Sequence, residues 1–190
     1  MRDSSCRPLA GIGLTARYLE PPPSRRWFVT LEAENIFAGY SWATTKAAED
    51  AEAARLSIRY ADSLAPVLER RFSVQRKIEF FGPALVIARH AGDRPAIARN
   101  LGRIARAYVE QGQAEKALPL YEEQIEILES LGDRYGLSVA LGDAGNAVQA
   151  LGRVQKALEC YRRQLEIAEE LDASSLKAAA HKIWAPGTSP

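Results

Sequence analysis

Few side chains in this sequence are placed to do covalent chemistry. The two histidines, His90 and His181, have no Cys, Asp or Glu at the spacing that a metal site or a proton relay requires. Cys6 and Cys160 lie far apart and form neither a disulfide framework nor a metal pair. Gly11-Ile12-Gly13 lacks the flanking strand and third glycine of a dinucleotide loop, and no glycine-rich phosphate loop ends in Lys-Ser or Lys-Thr. The acidic strip Glu122, Glu123, Glu126 and Glu129, repeated at Glu166, Glu169 and Glu170, reads as the solvated side of a helix. No catalytic, cofactor or metal-binding residue is assigned, and the chain is read as a non-enzyme. Arg99, Arg103 and Arg106 differ in kind. At i, i+4 and i+7 they share one helix face, and guanidinium groups so aligned can grip carboxylates bidentately.

The element that must carry that row is repeated. Residues 92–131, laid on 132–171, agree at about 16 of 40 positions, among them Leu101/Leu141, Gly112/Gly152, Ala117/Ala157, Tyr121/Tyr161 and Ile127/Ile167. A fixed period in this range is the mark of a solenoid, in which each unit buries its apolar face against the next. Within a copy the spacing is helical twice over. Leu101, Ile104, Ala105 and Tyr108 make one stripe, and Ala117, Tyr121, Ile125 and Leu128 make another. Gly112 reads as the break between two antiparallel helices, and Gly132-Asp133 as a stop followed by an N-cap. The small residues Ala105, Ala117, Gly145 and Ala157 allow close helix crossings, which Tyr121 and Tyr161 fill.

This order of small and large residues resembles the tetratricopeptide repeat. Leu101, Ile104-Ala105, Tyr108, Gly112, Ala114, Ala117, Tyr121 and Ile125 take the successive positions of that pattern; Leu141, Ala144-Gly145, Val148, Gly152, Val154, Ala157, Tyr161 and Leu165 take them again. Gln124 and Gln164 replace its small residue in the second helix, and Glu129 and Glu169 its proline. The longer period resembles the extended-helix subgroup of regulatory and scaffold proteins. The resemblance implies an all-α, right-handed α-solenoid of antiparallel helix pairs, about three repeats with capping helices, that binds protein segments. Trp27-Phe28, Leu31 to Asn35 and Trp42-Ala43 resemble the helix that opens the repeat arm of bacterial signal-transducing ATPases and transcriptional regulators.

The chain then divides into an arm (1–24), a capping helix (25–44), a worn first repeat (45–91), a second (92–131) and a third (132–171), and a terminal cap helix and tail (172–190). In the worn repeat Phe72 replaces the turn glycine and Lys77 a small residue, while Pro66 and Pro83 fall inside the helices and predict kinks. In a solenoid of helix pairs the first helices line the groove. Arg59, Arg99, Arg103, Arg106, Asp143, Asn146 and Gln149 are therefore the candidate peptide-binding residues. An acidic peptide would suit the arginine row, and Asn146 stands where such grooves often hold an extended backbone; Gly102 and Val139 break the full carboxylate clamp. Set against this is a simpler reading, a solvated face paired with Asp143 or Glu110, whose charge could be reversed with the fold intact.

The net charge is +1 across 190 residues, against a nucleic-acid or membrane-surface partner, and the unpaired cysteines suit a reducing cytoplasm. No apolar run approaches the roughly 20 residues of a membrane helix. Two functions remain: an adaptor for a protein segment, or a regulatory or oligomerisation arm, truncated from a bacterial signal-transducing ATPase or transcriptional regulator, that packs on its own copy or on a lost catalytic half. Tyr121→Ala is expected to cost roughly 3–5 kcal/mol in chemical denaturation through cavity formation, with Tyr161→Ala similar.

Overall fold

The computed structural model describes residues 25–171. The arm over 1–24 and the cap over 172–190, with Cys6 and His181, lie outside the described residues, as do the side chains of Trp27 and Leu31. Seven helices and no strand occur among the described residues: α1 (Arg25–Lys46), α2 (Ala51–Arg71), α3 (Val74–Ala91), α4 (Arg94–Glu110), α5 (Ala114–Leu131), α6 (Arg134–Ala150) and α7 (Val154–Glu170). The chain falls into two units. The unit ending at Gly39 holds the larger part of α1; the unit from Tyr40 holds the rest and is an all-α stack of helix pairs like that of a tetratricopeptide solenoid. From α2 onward each helix packs on the next in sequence, and α4 also meets α6.

The stack forms because the crossings are built from residues with little side chain. Ala96, Ala98, Leu101, Ala105 and Ala107 are buried along α4, and Leu137, Ala140, Leu141 and Ala147 along α6. Tyr121, 1% exposed, lies among Ala105 of α4, Ala114 and Ala117 of α5, and Ala144 and Ala147 of α6. One phenol ring thereby joins three helices and removes a large apolar area from water, a driving force of about 25 cal/mol per Å².

Four junctions are made alike. Gly92, Gly112, Gly132 and Gly152 adopt φ of 67°, 73°, 69° and 72°, a left-handed backbone that costs glycine nothing. At the ends of α3 and α5 the next amide closes back on the helix, Asp93 N to Ala88 O and Asp133 N to Leu128 O. The same aspartates cap the following helices: Asp93 Oδ1 accepts from Ala96 N at 3.0 Å and Asp133 Oδ1 from Gly136 N at 2.8 Å. The following arginines tie each helix start to its partner's end, Arg94 to Ser130 and Arg134 to Glu170. The α2–α3 junction lacks the glycine and is made differently. Phe72 is extended (φ −114°, ψ 153°), and Ser73 caps α3.

Three departures from the repeat pattern find physical partners. Lys77, on the buried side of α3, extends its ammonium to Glu110 of α4 at 2.5 Å. Pro83 lies inside α3 and removes the donor to the Glu79 carbonyl. Beside that gap the Tyr40 hydroxyl donates to Phe80 O at 2.5 Å, and its ring stacks on Phe80 with centroids 3.9 Å apart. Gln124 and Gln164, larger than the pattern allows, lie over glycines of the preceding helix. A Cβ at Gly102 would come within 2.5 Å of Gln124 Nε2, and one at Gly142 equally close to Gln164 Nε2. Volume taken from one helix is returned by its neighbour.

That exchange is measurable. Gly102→Ala is expected to cost about 1–3 kcal/mol by overpacking. The same change made on Gln124→Ala should cost less than half as much in denaturant titration, because the colliding amide is gone; equal costs in the two backgrounds would show that the pair is not coupled.

Candidate functional site

A shift of 40 places Arg59, Ser63 and Pro66 of α2 over Arg99, Arg103 and Arg106 of α4 and over Val139, Asp143 and Asn146 of α6. Each trio lies on one helix face, at i, i+4 and i+7. Burial explains why this face is polar. The apolar stripe of α4 is consumed by α3 and α5, so what remains is available to neighbouring first helices and to a ligand.

The arginines are held by carboxylates of both flanking helices. Arg99 makes a two-pronged contact with Asp62 of α2, Nε to Oδ1 at 3.1 Å and Nη2 to Oδ2 at 2.9 Å. Arg103 also donates to Asp62 Oδ1, at 2.9 Å, and to Asn100 Oδ1, while its guanidinium lies 5.2 Å from the centre of the Phe81 ring. Its side chain is only 13% exposed. Arg106 reaches in both directions, to Glu69 of α2 at 3.3 Å and to Asp143 of α6 at 3.0 Å. Burial opposes the Arg106 cation, but Asp143 and then Glu69 outweigh it and hold the group above its ordinary value. The row is thus an ion-pair ladder across three helices rather than a freely solvated face. Charge reversal at Arg103 or Arg106 would set a carboxylate against Asp62 or Asp143, which revises the expectation that the fold would not notice.

Asn146 and Gln149 are exposed on α6, and the Tyr161 hydroxyl lies 2.9 Å from Asn146 Oδ1 and 3.0 Å from Gln149 Oε1. Its single proton serves one oxygen at a time. These contacts use the amide oxygens and leave the two NH2 groups as donors on an exposed surface. Burial pushes the Tyr161 hydroxyl up, so it stays a donor through the physiological range. Arg59 is exposed on α2 with no partner among the described residues. Of the proposed set, α4 and α6 bring together Arg106 and Asp143, and α6 and α7 position Asn146 and Gln149.

The opposite helices carry a second ladder. Arg89 of α3 binds Glu123 of α5, and Arg163 of α7 binds Glu129 of α5, both at 2.6 Å. Part of the acidic strip is therefore joined to basic partners. Among the described residues no group of three His, Cys, Asp or Glu could hold a metal ion, and no helix is long and apolar enough to cross a membrane.

Residues 96–170 match the family model of the tetratricopeptide repeat. The match spans α4 to α7, where the repeat is clearest. Repeats of this family generally mediate protein–protein interaction. The curated proteins contain no match to this chain.

Arg103→Glu is expected to lower stability by about 2–4 kcal/mol, since it sets two carboxylates together at a largely buried point. Arg99→Glu, at a half-exposed pair, should cost about 1 kcal/mol or less. Urea titration of the two variants checks the ranking.

Proposed function

We propose that this chain is a non-enzymatic scaffold that holds a peptide or protein segment along the aligned faces of α2, α4 and α6. The observation that carries the reading is the polar face that the three first helices present in register, bridged by Asp62, Glu69 and Asp143. Side chains locked by such bridges lose little freedom when a ligand arrives, which lowers the cost of binding. Asn146 and Gln149 supply amide donors for an extended backbone, while the ion-paired Arg99 and Arg106 fix the face on which it would lie.

A second reading has one observation in its favour. Trp42, at the end of α1, is 58% exposed, whereas Tyr40 and Ala43 beside it are buried. A bare indole is a common anchor of protein interfaces. This supports an arm that assembles with its own copy or with a signalling partner, in the manner that the α1 sequence resembles.

Affinity capture from the native cell, followed by cross-linking and mass spectrometry on the captured complex, separates the two. The scaffold reading expects cross-links from a partner to α2, α4 and α6, with loss of the partner from Asn146→Ala/Gln149→Ala. Cross-links confined to α1, or only between copies and lost in Trp42→Ser, would replace it by the assembly arm.

A further inference from the structure

The arginines of α4 are largely spent on the protein's own carboxylates, and the cations left open lie elsewhere. On α2, Arg59, Ser63, Pro66 and Arg70 follow at i, i+4, i+7 and i+11, which brings all four to one face, and all four are exposed. They are the counterparts, one period earlier, of Arg99, Arg103, Arg106 and Glu110. Neither Arg59 nor Arg70 has an ion-pair partner among the described residues. The reason is visible in the ladder. Asp62, one turn from Arg59, has Oδ1 engaged by Arg99 and Arg103 and Oδ2 by Arg99. Glu69, adjacent to Arg70, is turned to Arg106 through Oε1. Asp62, the carboxylate that could have reached Arg59 across one turn, is drawn off by α4, and Glu69, next to Arg70 in sequence, does not share its face.

Between the two free guanidinium groups lies a second polar feature. Pro66 has no N–H to close on the Asp62 carbonyl, so that carbonyl loses its helix donor near the Ser63 hydroxyl in the middle of the stripe. A strand laid along this face meets cation, acceptor and hydroxyl, then cation.

We infer that the α2 stripe, with Arg59 and Arg70 at its ends, is the charge-reading part of the proposed binding face, and that its ligand is an extended acidic peptide. The inference rests on the scaffold reading. Eleven residues at 1.5 Å each separate the two arginines by about 16 Å. An extended chain rises about 3.3 Å per residue and turns alternate side chains to one face, so the matching ligand carries carboxylates at an even separation, about four or six residues apart. Each would be met by a bidentate guanidinium contact, and an N–H between them by the Asp62 carbonyl or the Ser63 hydroxyl.

The test uses the full chain and fluorescein-labelled serine- and threonine-rich peptides, each with two glutamates at varied separation, read by fluorescence anisotropy. Binding is expected to be tightest at a separation of about four or six residues and weaker at the odd separations between and beside them, which turn one glutamate away. It should weaken as salt rises and fall at least about tenfold for Arg59→Ala/Arg70→Ala, with the circular-dichroism melt unchanged. Absence of binding across the series, no dependence on separation, or full binding by that variant overturns the assignment. If Arg59→Ala/Arg70→Ala binds normally but Asn146→Ala/Gln149→Ala does not, the binding face stands with a different determinant. If neither pair matters, the face itself is wrong.

Discussion

The fold depends on how closely two helix backbones can approach at the crossing that Tyr121 fills. Alanines on three helices surround that ring, and the corresponding crossing in the next pair sets Tyr161 against Gly145. The contact is large, dry and shared between successive pairs. A pair of helices in isolation would leave this face in water; a third helix covers it. Cooperativity between repeats therefore begins at the ring and spreads outward to the caps and ion pairs, which orient the helices without supplying the main driving force.

Most of the architecture was legible because the repeat states each rule twice. The glycines at 112, 132 and 152, the N-cap at Asp133 and the burial of Tyr121 and Tyr161 all follow from paired positions, and the structure places each as read. The worn repeat was harder, because one copy of a rule is weak evidence. Phe72 ends α2 through an extended backbone that no spacing rule would have chosen, and Pro83 stays inside α3, where Tyr40 engages the adjacent carbonyl. The exchange of Gln124 for Gly102 was within reach. Both residues recur one period on, at Gln164 and Gly142, and a paired departure from a pattern points to contact between the two.

The arginine row was legible in its helical spacing but not in its pairing. Spacing puts Arg99, Arg103 and Arg106 on one side of α4, and nothing local tells which residues 37 positions away will answer them. Asp62 and Asp143 each stand at that distance from an arginine of the row, a regularity that appears only once the helices are stacked. Charge that looked available was already committed. Arg59, one member of a scattered set when read in sequence, became notable only after its neighbours were seen to be occupied.

The junctions Gly92-Asp93-Arg94 and Gly132-Asp133-Arg134 have a consequence for descent. Each triplet stops one helix, caps the next and ties that helix to the end of its partner, so a complete joint is encoded within a few codons. Recombination between the two triplets would remove or insert one whole unit and leave both seams chemically unchanged. Copy number can therefore drift in a lineage of such chains at little cost to folding, and the row of first helices would lengthen or shorten by one helix at a time. The terminal units, whose joints are spelled differently, are the parts that such exchange would leave in place.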